Sequence, residues 1–190
     1  MKDTNAIDKA IRGKCVKEIN TIVDNFLNEK EFMNIAHAVS GPDIDWHYSY
    51  SVADGSEEET DMYFIHMLYM GLAEMPKDGE LPKPPERSGY YHLFEPLFEQ
   101  LPDFKLLIRA KINLYGRTPE IIHHPDHVDM KQPHKGAIFS LNTCDGGTVI
   151  GDEKFDSVAN RILFFDPTQP HHSTSTTDVK RRVNININYL

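Results

Sequence analysis

An α+β fold is predicted for this 190-residue chain by three features of its sequence. Apolar residues in the first third recur at three- and four-residue steps, as one face of a helix requires. A stretch rich in proline and glycine interrupts the middle of the chain. From Phe104 onward, short runs alternate apolar and polar residues between turn residues, which is the pattern of half-buried strands. Helices first and strands afterwards point to an antiparallel sandwich or barrel with helices packed on one side. The length suits one domain: residues 1–190, with 1–104 mainly helical support and loop and 105–190 the β core.

Taking the elements in order, Ile7, Ile11, Val16, Ile19, Ile22, Val23, Phe26 and Leu27 trace one apolar helical face. A break falls near Asn28, and a second short helix starts at Glu29 and ends before the SGPD turn at 40–43. An extended stretch surrounds Trp46 to Val52. The acidic run DGSEEETD at 54–61 is read as solvated surface charging the start of a helix through Tyr63, Ile65, Met67, Leu68 and Met70. Residues 75–89 hold four of the twelve prolines, so a loop is expected there, a candidate lid. A helix follows through Leu93, Leu97, Phe98 and Leu101. The strands expected after it are 105–115, 136–143, 147–152, 161–165 and 181–190.

Composition narrows the function classes. With 39% hydrophobic and 26% charged residues the chain folds rather than staying disordered. A net charge of −9 repels nucleic acid and anionic membranes, so an anionic ligand must meet a local basic patch. Cys15 and Cys144 are far apart and form no CxxC, which argues against a zinc knuckle or a disulfide framework. No stretch approaches the length of a membrane span, and the start MKDTNAIDKAIRGK lacks the apolar core of a signal peptide, so a cytoplasmic protein is expected.

The last strand, RRVNININYL, alternates almost perfectly. Val183, Ile185, Ile187 and Tyr189 share one face; Arg182, Asn184, Asn186 and Asn188 share the other, while Arg181 falls on the apolar parity at the strand's end. A face of one arginine and three asparagines meets either water or a wet cavity. In a cavity, the arginine fork suits a carboxylate. Strand 105–115 has the same character, with Arg109, Lys111, Asn113 and Tyr115 on its polar face.

Six of the ten histidines fall between residues 123 and 172, and HHPDHVDM at 123–130 concentrates three of them. If His127-Val128-Asp129 is extended, the imidazole and the carboxylate project to one side and could chelate one ion, whereas His123 and His124 diverge. With a third histidine from a distant strand this makes the two-histidine, one-carboxylate triad of non-haem Fe(II) oxygenases. A zinc hydrolase is the competing metal reading, without an HExxH to support it.

At these residues the C-terminal half resembles the Fe(II)- and 2-oxoglutarate-dependent oxygenases, in particular the prolyl 4-hydroxylase-like group. The pieces INLYG, HVD, FSLN, GGT, RILFFD, PHHS and RRV stand in the family's order. The resemblance implies a double-stranded β-helix (jelly-roll, cupin-like) core with N-terminal supporting helices. It implies that His127, Asp129 and His171 bind Fe(II), with His172 as the alternative distal ligand; His171 is favoured because it follows Pro170 and aligns the STSTTD tract. Arg182 matches the residue that holds the distal carboxylate of 2-oxoglutarate. Tyr115 and Thr148 are further candidates for the co-substrate, although a tyrosine at a barrel edge and a threonine after a glycine hairpin are equally ordinary. Asn142, Asn184 and Asn186 could line the pocket. The implied reaction uses O2, with ascorbate as accessory reductant, to hydroxylate a C–H bond of a prolyl, other peptidyl or amino-acid substrate, releasing succinate and CO2. The alternative is a non-catalytic jelly-roll module that binds a metal or ligand without turnover.

Overall fold

The computed structural model describes residues 20–50, 63–71, 84–130 and 132–190. Eleven named strands among these residues form two antiparallel sheets. The larger runs in the order β1 (Thr21–Val23), β9 (Arg161–Phe165), β6 (Lys135–Ser140), β11 (Arg181–Tyr189), β5 (Leu107–Gly116), β3 (Tyr63–Met70) and β2 (His47–Ser49), with β4 (Glu86–Arg87) also paired to β3. The smaller runs β10 (His171–Ser173), β7 (Gly147–Ile150) and β8 (Glu153–Asp156). Mostly antiparallel sheet with few helices, this is the jelly-roll core the resemblance implies.

Strand parity divides the interior into two layers. Ala137, Phe139, Ile162, Val183, Ile185 and Ile187 project from the large sheet into the main core. There they meet Phe26, Leu27, Ile35 and Val39, with Phe94, Leu97 and Phe98 completing the layer. Ile35 and Val39 belong to α1 (Glu29–Ser40), which starts where expected: Asn28 caps it by accepting a hydrogen bond from the Glu31 amide at 3.1 Å. On the opposite face, Ile138, Leu163 and Phe165 pack against Ile150 and Phe155 of the small sheet. β11 is therefore buried on both faces, and its polar face is not a wet surface but the floor of a pocket between the sheets.

The described parts of two expected helices contain strands. The expected helical face runs through Leu27, but Thr21, Ile22 and Val23 pair antiparallel with Phe164, Leu163 and Ile162; three successive β-branched residues beside an open sheet edge favour this. The part of that face before Asn20 lies outside the described residues, as do the acidic run at 54–61 and most of the candidate lid. Tyr63–Met70 pairs with β5, and the register shifts between Met67 and Tyr69. The irregularity inserts Leu68 out of phase, so apolar residues at 63, 65, 67, 68 and 70 imitate helical spacing. The helix expected over 93–101 is shorter, a 3-10 turn at Tyr91–Phe94 running into α2 (Glu95–Glu99). Within the expected loop, Glu86 and Arg87 pair with Met70 and Tyr69. β8 and β10 had no sequence signal; His171-His172-Ser173 contains no apolar residue at all. Among the described residues no helix is long and apolar enough to cross a membrane.

Candidate metal centre and pocket

β10 is where the two halves of the histidine-rich sequence meet. His127 and His171 form an isolated antiparallel bridge, each amide donating to the other's carbonyl at 3.0 Å, and the Asp129 amide donates to the Pro167 carbonyl at 3.1 Å. These backbone ties bring one ligand atom from each of His127, Asp129 and His171 within 4.8 Å of one another, an arrangement able to hold a metal ion. The imidazole orientations suit this. His127 Nδ1 faces the Pro125 carbonyl at 3.4 Å and His171 Nδ1 faces the Gln169 carbonyl at 2.9 Å, which leaves Nε2 of each for the centre. His171 Nε2 is buried with no hydrogen-bond partner, a costly state that an ion would relieve.

His172 is turned elsewhere. Its Nδ1 lies 2.7 Å from Asp126 Oδ1 and its Nε2 3.0 Å from His123 Nδ1, so both ring nitrogens are engaged away from the triad.

Asp129 is held on all sides. Its Oδ1 accepts from Arg109 at 2.7 Å and its Oδ2 from Asn188 at 2.9 Å, with longer contacts from Asn186 Nδ2 to both oxygens, and Arg109 Nε also donates to Asn188. Burial pulls the Asp129 carboxyl upward. The Arg109 guanidinium, the Asn188 hydrogen bond and the facing His171 and His127 outweigh it and hold the group at about 2. Burial, then the neighbouring His171, pushes His127 below the ordinary histidine range. At neutral pH both groups are thus in the protonation states that ligate.

The pocket floor comes from register. β11 pairs with β5 so that Arg182 faces Tyr115, Asn184 faces Asn113, Asn186 faces Lys111 and Asn188 faces Arg109. Arg182, 1% exposed, donates to Thr148 Oγ1 at 3.1 Å and to the Thr174 carbonyl at 3.2 Å, and its guanidinium lies 5.3 Å from the centre of the Tyr115 ring. Its Nε is buried without a partner. Tyr115 is stacked between Tyr63 and His124, at centroid distances of 5.4 and 5.2 Å. The Gly146-Gly147 pair permits the close approach. A Cβ on Gly146 would stand 2.3 Å from the Ser175 carbonyl oxygen and 3.0 Å from Arg182 Cδ.

Of the six primary candidates, His127, His171, Tyr115 and Thr148 line one pocket; Asp129 converges on the two histidines, and Arg182 reaches the pocket wall by donating to Thr148. Asn184 and Asn186 line it, as does His172. Asn142 does not; its amide caps the start of β11, accepting from the Val183 amide at 2.8 Å and donating to the Arg181 carbonyl at 3.0 Å. Arg109, Lys111, Asn113 and Asn188 were on the polar faces defined by alternation but had no chemical motif to single them out. Tyr63 was hidden by the helical reading of its strand.

No family model matches the chain, and no curated protein matches it in sequence. Solved structures do match in fold. A prolyl hydroxylase from Trichoplax adhaerens, solved with a peptide of the hypoxia inducible factor oxygen degradation domain, is 12% identical with a TM-score of 0.64, covering 100% of this chain and 90% of that one. A 2OG-Fe(II) oxygenase family oxidoreductase from Burkholderia pseudomallei is 12% identical with a TM-score of 0.60 over 98% and 89%. A Pseudomonas putida prolyl-4-hydroxylase is 14% identical with a TM-score of 0.56 over 98% of each chain. The fold of this chain is the fold of these oxygenases.

Proposed function

We propose that this protein is an Fe(II)- and 2-oxoglutarate-dependent dioxygenase that hydroxylates a C–H bond. The observation that carries the reading is the convergence of the His127, Asp129 and His171 ligand atoms within 4.8 Å, at a pocket whose Thr148 accepts a hydrogen bond from the buried cation Arg182. Bound there, Fe(II) with 2-oxoglutarate and O2 supplies oxidative decarboxylation coupled to hydroxylation, with succinate and CO2 as co-products. Three protein ligands leave coordination positions for co-substrate and O2.

Each residue has a task the geometry supports. His127 and His171 ligate through Nε2, and Asp129, fixed by Arg109 and Asn188, completes the set; His171 is preferred to His172, whose ring nitrogens face Asp126 and His123. Arg182 takes the distal carboxylate of 2-oxoglutarate, with Thr148 orienting its fork and Tyr115 walling the slot. Ile138 and the Phe165 ring, 4.8 Å from the His171 ring and edge-on to it, keep bulk water from the metal side. A peptide or small-molecule substrate, rather than nucleic acid, suits the net charge of −9. One domain over residues 1–190 and a cytoplasmic setting fit the composition, Cys144 being free and buried. Ascorbate as accessory reductant rests on the resemblance alone.

The test is succinate release from 2-oxoglutarate with Fe(II) in air, wild type beside Asp129→Ala. Release by the wild type is expected, and the variant should lose more than the roughly 100-fold typical of removing a mere hydrogen-bond partner of a ligand. Equal turnover of the two proteins, or no release with no binding of 2-oxoglutarate, would overturn the proposal.

A further inference from the structure

Lys111 lines this pocket with no ion-pair partner among the described residues. On the polar face of β5 it occupies the register step opposite Asn186, whose amide reaches both oxygens of Asp129. It lines the same pocket as His127, His171 and Asn184. Its ammonium donates to the Tyr63 hydroxyl at 3.0 Å and lies 5.3 Å from the centre of that ring. Among the described residues no carboxylate makes an ion pair with it: Asp129 pairs with Arg109 at 2.7 Å and Asp126 with His172 at 2.7 Å. Burial, then the Arg109 charge one step along the strand, pushes Lys111 below the ordinary lysine range, and Tyr115 and Asp129 only partly offset this.

The oxygenase reading, on which this inference rests, does not supply that counter-charge. The distal carboxylate of 2-oxoglutarate is matched by Arg182 and its other carboxylate by Fe(II), while Asp129 offsets Arg109. Lys111 is left over. A long, flexible ammonium in the pocket that His127 and His171 line, fixed by an aromatic hydroxyl, is a recognition element for an anionic group entering last. A pocket for a neutral internal prolyl residue needs no such cation and bears its desolvation for nothing.

We propose that Lys111 forms a carboxylate subsite for the primary substrate, so that the molecule oxidised carries a carboxylate within a few bonds of its reacting C–H. Lys111 is thus a specificity-determining residue, with Tyr63 positioning its ammonium.

The probe is acetate, with acetamide as the neutral control, titrated into the 190-residue protein loaded with Mn(II) and 2-oxoglutarate. The readout is paramagnetic relaxation of the probe's methyl protons, which reports closeness to the metal without turnover. Expected is saturable relaxation of acetate but not acetamide in the wild type. Affinity should fall roughly tenfold or more in Lys111→Met and persist in Lys111→Arg. Equal acetate binding by wild type and Lys111→Met, or none by the wild type, overturns the subsite. A tenfold loss of 2-oxoglutarate affinity in Lys111→Met overturns it too, because Lys111 would then serve the co-substrate. If the wild type takes up neither Mn(II) nor 2-oxoglutarate, the oxygenase reading falls first, and the subsite with it.

Discussion

The two faces of β11 are both buried, and they are stabilised in opposite ways. Val183, Ile185, Ile187 and Tyr189 lie in the main core under α1 and α2, where shape and apolar area suffice. Arg182, Asn184, Asn186 and Asn188 are just as inaccessible, but each must find hydrogen bonds, and Arg182 Nε and Asn186 Oδ1 find none. Unmet polar atoms of this kind cost roughly 1–3 kcal/mol each. One face therefore holds the fold together, while the other draws on that stability to keep a pocket polar, which is what a site for a metal and an anionic co-substrate requires.

The largest expected effect breaks the apolar face. Ile185 is 0% exposed, and Ile185→Ala should cost roughly 2–5 kcal/mol in urea unfolding through the cavity it leaves. Mn(II) affinity at low denaturant should be retained, because Ile185 points away from the pocket; loss of metal binding without loss of stability would show that the two faces are not separable. The next effect makes the polar face sensitive to pH. His124 is stacked on Tyr115 with Nδ1 2.8 Å from Ser173 Oγ, and burial pushes it down to about 4. In the unfolded chain it titrates near 6.5. As pH falls through the window between these values, the unfolded chain gains a proton the folded protein refuses, so stability is present above it and is lost progressively within it. The loss amounts to roughly 3 kcal/mol. Urea midpoints at several pH values, compared with His124→Asn, check this: the variant's profile should be flatter, and parallel profiles would remove His124 as the cause.

What was legible in the sequence follows from the same contrast. Alternation exposes a strand whose two faces differ, so the parity of β5 and β11 is legible, and it puts Arg182 rather than Arg181 on the face of Asn184 and Asn186, which line the pocket. His127 and Asp129 were legible because a spacing of two is all that an extended segment needs to present both. Alternation fails where phase or length fails. In β3 the irregularity at Met67–Tyr69 shifts the parity, and the strand passed for a helix, concealing Tyr63. β10 is three residues long and entirely polar, so nothing local marks it as a strand; its pairing partners, Ile150, Val149 and Thr148, create it. Pro170 and the STSTTD tract already favour His171 over His172, and the pairing of β10 supports that preference, because neighbouring residues of one strand face opposite ways. Arg109 and Lys111 were on the correct face but not assigned roles, since an ion pair to Asp129 is a fact of tertiary structure.

The smallest expected effect sharpens the comparison at a single residue step. Arg181 and Arg182 are adjacent, identical in chemistry and equal in formal charge, so a long-range electrostatic role would count them alike. Register separates them: Arg181 is exposed opposite Gly116, while Arg182 lies against Tyr115 and Thr148. If the buried face is what binds, Arg182→Met should weaken 2-oxoglutarate binding to the Mn(II)-loaded protein by roughly 1.5–3 kcal/mol, the span of hydrogen bonds to charged groups. Arg181→Met should stay within about 0.5 kcal/mol, as surface substitutions do. Calorimetric titration of both variants measures the difference directly. Similar losses in the two would mean that 2-oxoglutarate responds to the basic stretch as a whole, and the division of β11 into a structural face and a binding face would no longer account for its affinity.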